Sequence, residues 1–330
     1  MRLIRVFPPL VAIPVAALML MAWRNGDPVP IAHAAAAVSA DADTITRVHM
    51  QNVDFYIDPQ IPLGIRHLNG TMRARHGGPV VFDDKNSFII HLDDAEVGLT
   101  GPALSVLLNK YVFNFRGSPL RHLVVTTSGS QIIQKGILRK VVDMPFEITA
   151  SLSVTPDGKI RIHPTRTQIL GLHVDGLMNG LGLTLDKIID LRKARGATIK
   201  GNDIFLDPNS ILPPPSMEGV MTSVRVEGDQ LVQTFGAPVA SPPAPDTSPP
   251  NYMFYKGGSI RFGKLLMTDA ELEIVDLDPA DPFRFDLDRY LPQLVAGYSR
   301  SLPSGGLEAF MRDIDKIGKE RIEVGSVATR

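Results

Sequence analysis

The 330-residue chain contains no cysteine, so a disulfide framework, a cysteine-ligated zinc site and a lipidated-cysteine anchor are all closed to it. It also lacks net charge. With 34 basic and 35 acidic residues the formal charge is −1, and no bulk field draws it to nucleic acid or to anionic headgroups. The strand-to-helix nucleophile signature G-x-S-x-G, the zinc motif H-E-x-x-H, the P-loop and a G-x-G-x-x-G opening onto a helix are all missing. No repeat of fixed short period is visible, which argues against a solenoid or propeller. The composition gives no reason to expect a cofactor, a metal or nucleic acid, and it assigns no catalytic residue.

What is present begins at the N-terminus. Arg2 and Arg5 precede an uncharged run of 18 residues, Val6–Trp23, the pattern that keeps the N-terminus cytoplasmic while the rest is exported. As a helix this run would be about 27 Å long, near the lower limit for spanning a bilayer. Pro8, Pro9 and Pro14 together with the small-residue site Ala32-His33-Ala34 fit a cleaved signal peptide over residues 1–34. Trp23-Arg24 fits a retained inner-membrane anchor. Either way the remainder is expected in the periplasm. About 290 residues without disulfides are enough to be held by a hydrophobic core.

Past a small, polar stretch, alternation over Val48–Ile57 and Ser87–Val97 predicts strands. Leu104, Leu107, Leu108, Tyr111 and Val112 fall at i, i+3, i+4, i+7 and i+8, which predicts an amphipathic helix from about Gly101 to Phe113. Leu123–Ser128, Gln131–Val142 and Phe146–Val154 read as strands, the last turning through Pro156-Asp157-Gly158 into Lys159–His163. Leu177, Leu181, Leu185, Ile188 and Ile189 suggest a second helix, ending in basic residues and capped by Gly196. Hairpins are expected at Gly201-Asn202-Asp203 and Glu227-Gly228-Asp229, with Leu212-Pro213-Pro214-Pro215 as a stiff connector. From Gly236 to Asn251 six of sixteen residues are proline, which reads as a linker or loop. Residues 252–330 are expected to bring strands at Tyr252–Tyr255, Ser259–Phe262 and Leu265–Val275. A helix carrying Leu287, Tyr290, Leu291, Leu294 and Val295 and a last helix over Leu307–Ile317 would follow. These strands alone could hardly bury a core, so they are expected to complete the domain begun at 47–235.

The fold class expected is α+β, a long curved antiparallel sheet wrapped around one or two amphipathic helices. In the order from Leu104 to Phe235 the chain resembles bacterial members of the tubular lipid-binding (TULIP) superfamily. The features that carry the likeness are the leucine-rich helix, the Pro145-Phe146-Glu147-Ile148 strand with its Asp157-Gly158 turn, the Gly-Leu-rich segment after Gly176, and the Lys200–Ile204 hairpin with Asp207-Pro208. It is also similar to AsmA-type envelope proteins, which join an N-terminal anchor to a β-rich groove. The region after Pro250 has no counterpart in the superfamily. The resemblance implies a groove for a lipid or another apolar molecule, and Leu104, Leu107, Leu108, Tyr111, Leu177, Leu181, Leu185 and Ile188 are the candidates to line it.

Two other readings stand beside it, a hydrolase of envelope lipids or glycolipids and a packed structural protein of the envelope. The polar residues that bear on the first are Asp269, Glu271, Glu273, Asp276, Asp278, Asp281, Asp286 and Asp288. Asp276, Asp278 and Asp281 are close enough in sequence for calcium, yet Pro279 and Pro282 break any EF-hand pattern. A solvated strand face followed by a helix capped by Asp286 is the favoured reading. Ser128 and Ser130 are expected in an exposed turn, His163 and His173 on strands or loops, and Gly257, Gly258 and Gly263 in turns or bulges.

Overall fold

A computed structural model describes residues 45–140, 142–170, 172–173, 184–239 and 249–318, all within one compact unit. The chain runs through β1 (Ile45–Asp58), β2 (Ile61–Ala74), β3 (Val80–Val81) and β4 (Phe88–Thr100) into α1 (Gly101–Leu107), which widens into a π turn over Leu108–Val112. Next come β5 (Leu120–Ser128), β6 (Gln131–Arg139), β7 (Asp143–Val154), β8 (Ile160–Ile169), β9 (Leu172–His173) and the one-turn α2 (Leu185–Ile188). β10 (Ala197–Lys200), β11 (Asp203–Leu206), α3 (Pro208–Ile211), β12 (Ser216–Glu218), β13 (Met221–Glu227) and β14 (Gln230–Gly236) follow. The last part holds β15 (Tyr252–Lys256), β16 (Ser259–Phe262), β17 (Leu265–Thr268), β18 (Glu271–Asp276), β19 (Phe283–Asp286), α4 (Tyr290–Ala296), β20 (Tyr298–Ser301), β21 (Leu307–Met311) and a 3₁₀ turn at Ile314–Lys316.

The described residues form three sheets. The largest has the order β13-β14-β4-β2-β1-β15-β18-β21-β20, with β12 added to β4 and β19 to β1. The second runs β10-β11-β8-β7-β6-β5, with β9 on β8, and the third is the small β17-β16-β3. Among the described residues strand dominates, at 56% against 12% helix, so the α+β expectation resolves there to a mostly β structure with few and short helices. The sequence from Tyr252 onward joins the largest sheet directly, because β15 pairs antiparallel with β1 over Arg47–Gln51.

β1 has two partners on that one edge. Beyond β15 it pairs in parallel with β19 over Val53–Tyr56, and the change falls at Asn52, which has a φ of 52°. Asparagine tolerates this left-handed backbone better than most residues, and its side-chain amide donates to Asn251 Oδ1 at 2.6 Å.

The turns follow glycine chemistry. β10–β11 and β13–β14 close through two-residue turns whose first residues, Gly201 and Gly228, have φ of 61° and 62°. A side chain there would be strained, which is why glycine opens both. Ser128 and Ser130 sit in the exposed β5–β6 turn, and Gly257, Gly258 and Gly263 also have positive φ.

Several expectations need correction. Leu307–Met311 is a strand, parallel to β18 and antiparallel to β20, although its Leu, Glu, Ala and Met favour helix; pairing on both edges overrides that preference. The helix expected up to Arg195 is, in its described part, the single turn α2, and Ile189 is already extended at φ −118°, ψ 126°. Leu177 and Leu181 lie outside the described residues. Gly196 has a φ of 64° but stands before β10 rather than after a helix. The run Leu265–Val275 is two strands, broken at Asp269 with a φ of 50°. On α4, Tyr290 is buried but Leu291 and Val295 face outward.

The core has two characters. Around β1, β16, β19 and α4 it is aromatic: Phe82 meets Phe88, Tyr255, Phe262 and Tyr290 at ring separations of 5.2–6.2 Å, and Phe55 stacks on Phe285. Around α1 it is almost wholly aliphatic.

Candidate functional site

Thr100 ends β4 and starts α1, its Oγ1 accepting from the Ala103 amide at 3.3 Å, while Pro102 occupies the first turn, where a missing N–H has no consequence. The helix is seated by two polar side chains. Ser105 Oγ donates to the Gly101 carbonyl and accepts from the Val125 amide at 2.8 Å. Asn109 accepts from the Leu123 amide at 2.9 Å and donates to the Leu123 carbonyl at 2.6 Å. Both satisfy backbone groups of β5, an edge strand with a register irregularity between Arg121 and Val124. Gly101 makes this approach possible, since a Cβ there would stand 2.5 Å from the Val125 carbonyl oxygen.

With that side of α1 bound to β5, Leu104, Leu107 and Leu108 are buried among aliphatic side chains of both larger sheets. Packing is incomplete there, and among the described residues three neighbouring cavities remain. The first, of about 30 Å³, lies among Leu63, Leu92, Leu104, Leu107, Ile211 and Phe235. The second, of about 50 Å³, is lined by Leu104, Leu107 and Leu108 from the helix and by Ile132, Ile162 and Ile204 from the second sheet. The third, of about 20 Å³, involves Leu120, Phe146, Leu185, Ile188, Ile189 and Ile204. The first two share Leu104, Leu107, Ile160 and Leu206, and the last two share Leu120, Gln134, Ile189 and Ile204, so the space is nearly continuous. Polar atoms on its wall come from Asn209, Gln233, Gln134 and Thr167. Cavities this apolar stay dry and favour apolar occupants.

Of the residues singled out in the sequence, Leu104, Leu107, Leu108, Leu185 and Ile188 line this space. Tyr111 does not. Its hydroxyl donates to Asp58 Oδ2 at 2.7 Å, next to Lys110 at 2.5 Å on the same oxygen, and these bonds tie the end of the π turn to the β1–β2 turn. Lys110 and Tyr111 hold the Asp58 carboxyl below the usual range against the opposing effect of its burial. Sequence reading missed the opposite wall, Ile132, Ile160, Ile162, Ile204 and Leu206, although the strand alternation in β6, β8 and β11 marks each as inward-facing.

The acidic segment is elsewhere and is not a solvated face. Glu273, Asp276 and Asp286 are all buried. Asp286 Oδ1 accepts from the amides of Asp288 and Arg289, ahead of α4 rather than at its cap. Asp278, Asp281 and Asp313 converge within 4.8 Å, and the Lys316 ammonium lies among them, 2.8 Å from Asp313 Oδ2 and in contact with Asp278. Asp276 instead accepts from Asn251 Nδ2 at 2.9 Å and from the Asp278 amide at 2.9 Å, and burial pushes its carboxyl up to about 6. A lysine is the cation of this cluster, and none of these carboxylates lines the apolar space.

A second polar row crosses β1, β2 and β4. His49 Nδ1 meets Asn69 Oδ1 at 2.5 Å, Asn69 donates to Asp94 Oδ2 at 3.3 Å, and His67 Nε2 lies 3.2 Å from Asp94 Oδ1. Burial lowers the His49 pKa, which keeps the ring neutral at physiological pH. Among the described residues no helix is long and apolar enough to cross a membrane.

No family model, curated protein or solved structure matches this chain.

Proposed function

We propose that the chain is an exported envelope protein that holds a lipid or similar apolar molecule, without chemistry, in the space between α1 and the two larger sheets. The observation that carries this reading is the run of three adjoining, aliphatic-lined cavities, two along the leucine face of α1 and the third continuing to α2. In this reading the second sheet curves round α1, and its strands and α2 part slightly to admit an acyl chain where the cavities already leave room. The basic residues and apolar run at the N-terminus support export, and the likeness to the tubular lipid-binding superfamily points to the same ligand class.

Native mass spectrometry of the full chain purified from a bacterial host, followed by lipid extraction, tests it. About one lipid per chain is expected, and Leu107→Trp, which projects an indole into the two larger cavities, should abolish its capture while the protein still unfolds cooperatively. A clean apo mass, unchanged after incubation with membrane lipids, would overturn the proposal in favour of a packed structural protein.

A further inference from the structure

The β16–β17 turn is a two-residue tip, Gly263-Lys264, with Phe262 paired to Leu265 and Arg261 to Leu266. Hairpin tips of soluble proteins are ordinarily polar, yet Leu265 and Leu266 are 43% and 49% exposed. Leu291 of α4 lies against Gly263, and Val295, one turn further along the same helix face, is 84% exposed. Leucines 265 and 266 also form one rim of a cleft of about 600 Å³ beside the Ser301–Leu307 turn. Four apolar side chains are thus exposed on this hairpin and on the helix that packs against its tip.

Two observations say what covers them. The first is charge: Arg261 and Lys264 are exposed at this tip and make no ion pair among the described residues, whereas the nearby Lys256 and Arg289 are paired with Glu271 and Asp286. Basic side chains interleaved with exposed leucines are the composition of a surface that sits at a lipid interface. The second is where the chain enters. Ile45 packs beside Gly257 and Gly258, and Gly257 donates to the carbonyl of Ala270 in the cleft wall at 2.7 Å. The 44 residues before Ile45, which carry the apolar run Val6–Trp23, therefore join the described chain at the base of the β16–β17 hairpin.

We propose that the β16–β17 tip and the adjoining face of α4 dock on a bilayer bearing anionic headgroups, with Leu265, Leu266, Leu291 and Val295 entering the interface and Arg261 and Lys264 meeting the headgroups. The near-zero net charge of the whole chain is no obstacle, because headgroup attraction is local and fades within a Debye length. The inference does not depend on the internal space holding a lipid, and an empty cavity leaves it intact.

The absence of native cysteine makes the test direct. Full-length Leu266→Cys, Val295→Cys and, as a reference at another exposed apolar position, Val220→Cys would each carry one environment-sensitive fluorophore. They would be mixed with vesicles of phosphatidylethanolamine and phosphatidylglycerol, or of phosphatidylcholine alone. Labels at 266 and 295 should shift to the blue and be quenched by nitroxide lipids only with the anionic vesicles, while the label at 220 stays aqueous. Lys264→Gln should lower the ratio of docked to undocked label at 266 about fivefold, the effect of one basic side chain at an anionic surface. Labels at 266 and 295 that remain as aqueous as that at 220 would overturn the proposal. So would burial of those labels without vesicles accompanied by a doubled mass, which would assign the patch to a second copy of the chain.

Discussion

Replacing Asp276 by asparagine should stabilise the protein at neutral pH and not in acid. Asp276 is 6% exposed, and burial, assisted by the neighbouring carboxylates of Asp313 and Asp278, pushes its carboxyl from 3.8 to about 6 despite bonds from Asn251 and the Asp278 amide. A shift of about two units corresponds to about 3 kcal/mol by which ionisation weakens the folded state. The folded value lies above the unfolded one, so this stability is present below about pH 4 and is lost as pH rises through about 6. Asparagine removes the charge but presents an amide N–H₂ where one of two acceptors stood, a loss of about 1 kcal/mol. The net expectation is a gain of about 2 kcal/mol near pH 7.5 and a loss of about 1 kcal/mol near pH 4. Urea unfolding of both proteins at several pH values measures it, and only the difference between them is needed, which cancels the titration of other groups. A variant destabilised equally at every pH would refute the argument, because the carboxylate would then act only as an acceptor.

Four further outcomes follow from the packing. Asn109→Ala leaves the Leu123 amide and carbonyl without their helix partner and should lower stability by about 2 kcal/mol in urea unfolding. Leu107→Ala should lower it by about 4 kcal/mol, towards the upper part of the range for buried leucines, because it enlarges two cavities already present. Gly70→Ala should abolish soluble expression, since its Cβ would collide with the His91 carbonyl oxygen on β4. Gly98→Ala should be tolerated, as its obstacle 2.5 Å away is the movable end of the Gln230 side chain.

Local chemistry made part of this fold legible. The turns at Gly201 and Gly228, the helix that follows Thr100 and the alternating strand Asp143–Val154 each state their structure within a few residues. The strand Leu307–Met311 does not, because its conformation is decided by neighbours far away in sequence. The same limit applies to the candidate site. Helical spacing marked Leu104, Leu107 and Leu108, whereas Ile132, Ile162 and Ile204 join them only because β6, β8 and β11 share a sheet. The acidic segment misled for a physical reason too: carboxylates are ordinarily exposed, and β18 buries Glu273 and Asp276.

The pairing of β1 with β15 has a kinetic consequence. Arg47 faces Lys256 across roughly two hundred residues of chain, so the largest sheet closes only after nearly the whole polypeptide is available, and such non-local contacts form slowly. Until then the outer edge of β1, along Arg47–Gln51 and Val53–Tyr56, stands open as a template for other strands. A chain emerging N-terminus first would pass through this exposed state on every synthesis. Its yield would therefore depend on holdase chaperones that occupy the β1 edge until residues 252–286 arrive to close it.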